Sequence, residues 1–218
     1  MLLLYRIQSF FGVGNVYIDK TSDMASYQVK SITDLANVII PHFDKYPLIT
    51  QKYADFLIFK SIIQSMLEKE HTRIEGIQKI VNNRASMNSG LSDCLKAAFP
   101  NTILVSRSEV KYPEIKDPNW FAGFSAGESC FSVVISKSKT IKTGHGVNLR
   151  FGIGQHSRDL ELINSLIQYL GCGQITKKRD KEFVEYNVGK FSDINEKIIP
   201  FFSKYPFLLS LSYSQIYL

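Results

Sequence analysis

Glu128 is the residue whose surroundings first suggest chemistry. It lies in the stretch NWFAGFSAGESCFSVVIS, Asn119 to Ser136, where Ala122, Gly123, Ala126 and Gly127 form two small pairs at i,i+4. A glycine inside a helix costs roughly 1 kcal/mol, and a carboxylate at a helix C-terminus meets the negative end of the macrodipole. Small residues let a second helix approach closely; the plain alternative is one tight helix crossing in a core. An acid at such an end is favoured only beside a cation. If two helices of this kind pack side by side, their terminal acids converge. Hard divalent cations can then bridge the carboxylates and a phosphate.

Beyond Glu128 the residues alternate as in a half-buried strand. With Phe131, Val133 and Ile135 inward, Cys130, Ser132, Val134, Ser136 and Ser138 face outward. On the hairpin partner, Leu149, Phe151 and Ile153 are inward, leaving Asn148, Arg150, Gly152 and Gly154 outward. Two further strands expose Gln174, Thr176 and Lys178, then Glu185 and Asn187; a similar hairpin near the start of the chain exposes Asn15, Tyr17 and Gln28. Arg, Lys, Asn, Gln and Glu can read base edges in a major groove, and any solvated sheet face shows the same types. Lys137, Lys139, Lys142, Lys177, Arg179 and Lys181 cluster at hairpin ends, where phosphate contacts are expected, although loop charges are usually just solvated.

The elements that must hold these residues come twice. Shifted by 159 residues, Phe10–Ile49 lies without a gap over Tyr169–Leu208. Gly12 and Gly14 meet Gly171 and Gly173, Tyr27 and Val29 meet Tyr186 and Val188, and IIP-F-KYP recurs at Ile39–Pro47 and Ile198–Pro206. This is an internal duplication with a period too long for a solenoid. Each copy reads as a helix ending at G-x-G, two short strands, then a helix opening at Asp34 or at Ser192–Asp193 and running to Lys-Tyr-Pro. The first helix places Leu3, Leu4, Ile7, Phe10 and Phe11 on one face. Only the second copy has an upstream helix, starting with Asp117 as N-cap and Pro118 at N1. That helix runs to about Glu128, and a hairpin of Cys130–Ile135 with Val147–Ile153 follows. The expected organisation is a partial first repeat at 1–99, a linker at 100–116 and a second repeat at 117–218, the chain being cut short at both ends relative to its own repeat.

Composition narrows the class. Lys and Arg number 26 against 20 Asp and Glu, so nucleic acid is the leading specific partner for the basic balance, beside a merely basic soluble surface. Three dispersed cysteines (Cys94, Cys130, Cys172) and four dispersed histidines show no zinc spacing and no disulfide framework. No apolar run is long enough to span a bilayer, and the start has neither a basic leader nor a cleavage site, so no membrane or secretory role is expected.

FAGFSAGES (Phe121–Ser129) resembles the motif that gives the LAGLIDADG homing endonucleases their name, and the chain resembles the monomeric, two-repeat, fungal mitochondrial branch. HFDKYPLITQK, GLSDCLKAAFP, WFAGFSAGESCF, YLGCG and KFSDINEKIIPFF are all similar to segments of those enzymes, in the same order. The resemblance implies an α+β fold of two pseudo-symmetric αββαββα repeats, the first here lacking its motif helix and first hairpin. It also implies curved antiparallel sheets in the major groove of double-stranded DNA, and Mg²⁺ held by the acids of two motif helices. On this chain Glu128 matches the metal-binding acid, Gln155 a glutamine near the metal, and Lys204 lies near the segment where a basic active-site residue is expected. The motif's final glycine is Ser129 here, and no partner acid is present.

The implied function is site-specific double-strand cleavage by an intron-encoded enzyme of the mitochondrion, a monomer rather than a homodimer, with doubtful activity in a chain that carries one motif acid. An intron-RNA maturase without nuclease chemistry and an inactive remnant reading frame are the alternatives.

Overall fold

The computed structural model describes residues 2–19, 21–22, 24–87, 90–108, 110, 114–177 and 182–207. Lys178, Arg179 and Lys181, expected on the second repeat's hairpin, lie outside the described residues. The chain divides into two units, Met1–Lys111 and Tyr112–Leu218, with the boundary inside the 100–116 segment. Part of that segment is anchored within the first unit. The amide of Val105 donates to Ser86 Oγ (2.8 Å), and the Arg107 guanidinium pairs with the buried Asp55 carboxylate (2.8 Å).

The first unit runs α1 (Leu2–Phe11), β1 (Asn15–Asp19), β2 (Met24–Gln28), α2 (Ile32–Asp34), a π-helical turn (Leu35–Ile39) and α3 (Ile40–Lys45). It continues through α4 (Lys52–Leu67), α5 (Ile74–Ala85) and α6 (Asp93–Ala98). The second unit opens with α7 (Pro118–Glu128), β3 (Ser129–Lys137) and β4 (His145–His156). The repeated set follows: α8 (Leu160–Leu170), β5 (Gln174–Lys177), β6 (Phe183–Val188), α9 (Phe191–Asp193), a π turn (Ile194–Ile198) and α10 (Ile199–Lys204).

The duplication holds in atomic detail. Gly12 and Gly171 leave their helices with φ +70 and +66, a left-handed backbone that glycine adopts without a Cβ penalty. Gly14 and Gly173 (φ +78 and +88) then pass beneath the rings of Tyr27 and Tyr186. Each tyrosine hydroxyl donates at 2.8 Å to the carbonyl of the residue between the glycines, Val13 in one copy and Cys172 in the other. Burial pushes both phenols above the usual tyrosine range, with the Asp34 charge adding to the effect at Tyr27.

Both π turns have one cause. Pro41 and Pro200 sit at the start of α3 and α10, cannot donate, and would strike the carbonyl four residues back. The helix widens instead, so Ile40 N–H reaches the Leu35 carbonyl and Ile199 N–H the Ile194 carbonyl. The helices begin earlier than the expected Asp34 and Ser192. Ser31 caps the first through its side-chain oxygen, which accepts from Asp34 N–H, making Asp34 an interior residue.

What differs between the copies is burial. In the second unit β3-β4-β6-β5 form one antiparallel sheet; among the described residues, β1 and β2 pair only with each other. Leu162, Ile163, Leu166 and Tyr186 are completely buried, whereas their counterparts Leu3, Leu4, Ile7 and Tyr27 are half-buried. Phe10 was expected on the inward face of α1 and is 70% exposed. Its counterpart Tyr169 packs against Phe121 of α7 and Phe201, while among the described residues the ring contacts of Phe10 are with Phe11 and His42. Amides of β6 and α8 are therefore expected to exchange at least about 100-fold more slowly than those of β2 and α1. Hydrogen exchange read by mass spectrometry checks this, and equal protection would contradict the burial difference.

Candidate nucleic-acid interface

Helix α7 is fixed from its first turn. The Asp117 carboxylate accepts from Asn119 N–H (2.9 Å), Pro118 occupies the first position, and Phe121 is fully buried against Tyr169, Phe201 and Phe202. The helix ends at Glu128 and β3 begins at Ser129 with no loop between them. Glu128 is thus held from both sides. The β3–β4 ladder closes with Ser129 opposite Ile153, which puts Glu128 and Gln155 at the same end of that pair.

The Glu128 side chain is exposed, and no ion pair reaches it among the described residues; Gln155 is half-buried. Lys204 is not brought to this end by any described hydrogen bond or ion pair. It sits in the last turn of α10 with its ammonium 5.4 Å from the Tyr205 ring centroid, as its counterpart Lys45 sits 5.3 Å from that of Tyr46.

The four small residues of α7 do not share one face. Ala122 is buried on the core side, while a Cβ added at Gly123 or Gly127 would meet nothing within 4 Å. Gly123→Leu should leave the fold of this chain intact, and it should raise thermal stability slightly by helix propensity. A loss of more than about 1 kcal/mol in denaturant unfolding would show that this face is already occupied.

The register gathers the outward residues onto one face of the second unit's sheet. Ser132 lies opposite Arg150, Val134 opposite Asn148, and Ser136 opposite Gly146; across β6, Gly152 faces Asn187 and Gly154 faces Glu185; on the far edge, Gln174 faces Asn187 and Thr176 faces Glu185. Ser138 lies in the turn beyond β3, its hydroxyl 3.1 Å from Thr140 Oγ1 and its N–H donated to the Gly144 carbonyl. In the first unit Asn15 lies opposite Gln28 and Tyr17 opposite Ser26, with the Lys30 ammonium over the Tyr17 ring.

Three inward assignments need correction. Phe131, Val133 and Ile135 share one side of β3 but are 41%, 46% and 63% exposed. The rings of Phe151, Phe202 and Phe207 pack against Phe131, and exposure rises from there along β3, an edge strand whose outer half projects past the core.

Sequence reading missed a network at the centre of the outward face. Arg150 Nε donates to Asn187 Oδ1 (2.6 Å), and Arg150 Nη2 pairs with Glu185 Oε1 (2.6 Å). The arginine reaches these partners beside Gly152, where a Cβ would stand 3.3 Å from Asn187 Oδ1. At Gly154 a Cβ would run into the Phe183 ring at 2.6 Å. Gly152 and Gly154, two residues apart inside one strand, were the available signal, since strand glycines mark a close approach by another group.

The sequence model of the LAGLIDADG endonucleases matches residues 1–63 and 121–217. This chain belongs to the LAGLIDADG endonuclease family. It is 42% identical over 216 residues to the probable intron-encoded endonuclease 2 of Neurospora crassa and 38% identical over 208 residues to the probable intron-encoded endonuclease 3 of that fungus. Those matches take in 93% and 94% of this chain but 46% and 39% of the relatives, so the chain spans less than half their length.

Among solved LAGLIDADG structures, I-SmaMI bound to uncleaved DNA in the presence of calcium ions superposes with a TM-score of 0.93 at 43% identity, covering 96% of this chain and 71% of that one. I-CpaMI bound to uncleaved DNA gives 0.90 at 41% identity, covering 95% and 71%. The LAGLIDADG fold, with its mixed helices and antiparallel sheets, is therefore that of this chain.

Proposed function

We propose that this chain works as part of an intron-encoded homing endonuclease of the fungal mitochondrion, holding double-stranded DNA by the major groove and cutting it with a divalent metal ion. The observation that carries this reading is the placement of Glu128. It ends a helix locked by Phe121, without an ion-pair partner among the described residues, at one end of the ladder whose outward face carries Asn148, Arg150, Gln174, Thr176, Glu185 and Asn187.

The donors fit a metal ion as one side of a shared site. Glu128 supplies a hard carboxylate oxygen and Gln155 an amide at the same end of the ladder, while no group of three His, Cys, Asp or Glu gathers among the described residues. Phosphate oxygens and a second carboxylate would complete the shell that Mg²⁺ requires. The bound ion would neutralise charge on the phosphate and lower the pKa of attacking water.

Within the chain, Glu128 would hold the ion, Gln155 would offer an amide from the same end of the ladder, and Lys204 would supply positive charge for the phosphate. Solved I-SmaMI structures include an alanine mutant at two lysines 159 positions apart. Lys45 and Lys204 are the one pair of lysines in this chain with that separation, which supports choosing Lys204 and adds Lys45 as its repeat counterpart. A protein with one motif acid lacks the second carboxylate of a two-strand cut, so the isolated chain is expected to bind as a monomer and cut poorly. Selection of bound duplexes from a randomised library, followed by incubation with Mg²⁺, tests the reading. Retention of single-stranded RNA in preference to duplex DNA would overturn it.

A further inference from the structure

Arg150 is the only arginine on the outward face of the second unit's sheet among the described residues, and its surroundings differ from those of the lysines. Lys137, Lys139, Lys142 and Lys177 are exposed at or near hairpin ends and make none of the described ion pairs. Arg150 sits inside β4 and is matched by the Glu185 carboxylate from β6. A carboxylate beside an arginine weakens its hold on phosphate, so this pair is poorly suited to backbone contact.

The geometry suits a base edge instead. A guanidinium carries five N–H donors in a fixed fork. Nε and one Nη2 hydrogen, on one side of the fork, are used by Asn187 Oδ1 and Glu185 Oε1, both at 2.6 Å. The Nη1/Nη2 end stays free of described protein partners on a side chain that is 44% exposed. That end matches the O6 and N7 acceptors of guanine. Asn187 is orientated by the same contact: its Oδ1 accepts from Arg150, and its amide nitrogen lies 3.5 Å from Thr176 Oγ1. Gly152 keeps clear the space between them.

We infer that Arg150 reads one guanine of the duplex through the free end of its fork, with Glu185 and Asn187 as positioning residues that hold the fork in place. The inference rests on the duplex-binding reading above. It changes the expected roles of two residues on the face, because Glu185 and Asn187 serve the arginine and not a base of their own.

The test is selection from a randomised duplex library with the full chain, followed by sequencing of retained DNA. One position should show guanine favoured about tenfold or more over the other bases. Arg150→Ala should flatten that position to near-equal use of four bases, lowering total retention only a few-fold and leaving preferences elsewhere unchanged. Arg150→Lys should not restore the preference, since an ammonium has no fork. Glu185→Gln and Asn187→Ala should weaken it at unchanged melting temperature, which a purely structural role would not do. Replacing the selected guanine by 7-deazaguanine should reduce binding to the wild type and leave Arg150→Ala unaffected.

Guanine preference surviving in Arg150→Ala would overturn the assignment. So would a uniform loss of affinity across all sequences, the mark of a phosphate contact. Failure of the wild type to retain any duplex would overturn the duplex-binding reading itself, and this inference with it.

Discussion

Gly173→Val is expected to destabilise the second unit by on the order of 4 kcal/mol. Gly173 has φ +88, a conformation closed to a β-branched residue, and its missing side chain is where the Tyr186 ring lies. Tyr186 is completely buried, and its hydroxyl donates to the Cys172 carbonyl, so the ring cannot withdraw without breaking a buried hydrogen bond and opening the core between α8 and β6. The matched experiment is Gly14→Val. Gly14 has φ +78, and a Cβ there would meet the Gln28 carbonyl and the Val29 side chain at 2.8 Å as well as the half-buried Tyr27 ring at 2.9 Å. The left-handed backbone and the carbonyl clash remain, so its cost should approach that at Gly173, less only the part owed to the fully buried ring. Denaturant titration of the two variants measures both. A Gly173→Val protein within about 1 kcal/mol of wild type would show that the tyrosine-over-glycine contact does not hold this unit together.

Binding to duplex DNA is expected to fall about 100-fold between 50 mM and 200 mM salt. The estimate takes roughly four phosphate contacts from the exposed lysines at the hairpin ends, each releasing about 0.9 of a counterion from B-DNA. Lys137, Lys139, Lys142 and Lys177 are the described residues placed for this, on a chain of net charge +6. Double replacement of Lys139 and Lys142 by Gln should reduce the salt slope by about two and weaken all sequences alike. Fluorescence anisotropy against a labelled duplex at several salt concentrations gives the slope. Affinity that does not change across that range would rule out phosphate-dominated contact.

How much of this was legible in the sequence depended on what kind of information a residue carries. The G-x-G, Tyr and Lys-Tyr-Pro positions of the two repeats were readable because glycine φ, tyrosine packing and proline restriction are local properties, and the structure superimposes their causes. Helix α7 was readable at both ends, since Asp117-Pro118 is a strong start and the strand pattern begins right after Glu128.

Three things were not local. The exposure of Phe10 depends on whether a counterpart of Phe121 packs over it, which alternation along α1 cannot reveal. The exposure of Val133 and Ile135 depends on how far the aromatic cluster around Phe202 reaches. The Arg150 network joins residues 35 and 37 positions apart across β4 and β6, and only the register brings them together.

Glu128 is proposed as one acid of a two-acid metal site beside a DNA-binding sheet. The most direct measurement compares cleavage of a selected duplex in Mg²⁺ by three proteins: the 218-residue chain, the chain preceded by a second acid-bearing motif helix and hairpin, and that extended protein carrying Glu128→Gln. The two extended proteins are expected to bind the duplex with similar affinity, only the extended protein with Glu128 to cut both strands, and Glu128→Gln to remove its cutting by a factor of about 100 or more. Undiminished cutting by the Glu128→Gln protein would contradict this role of Glu128.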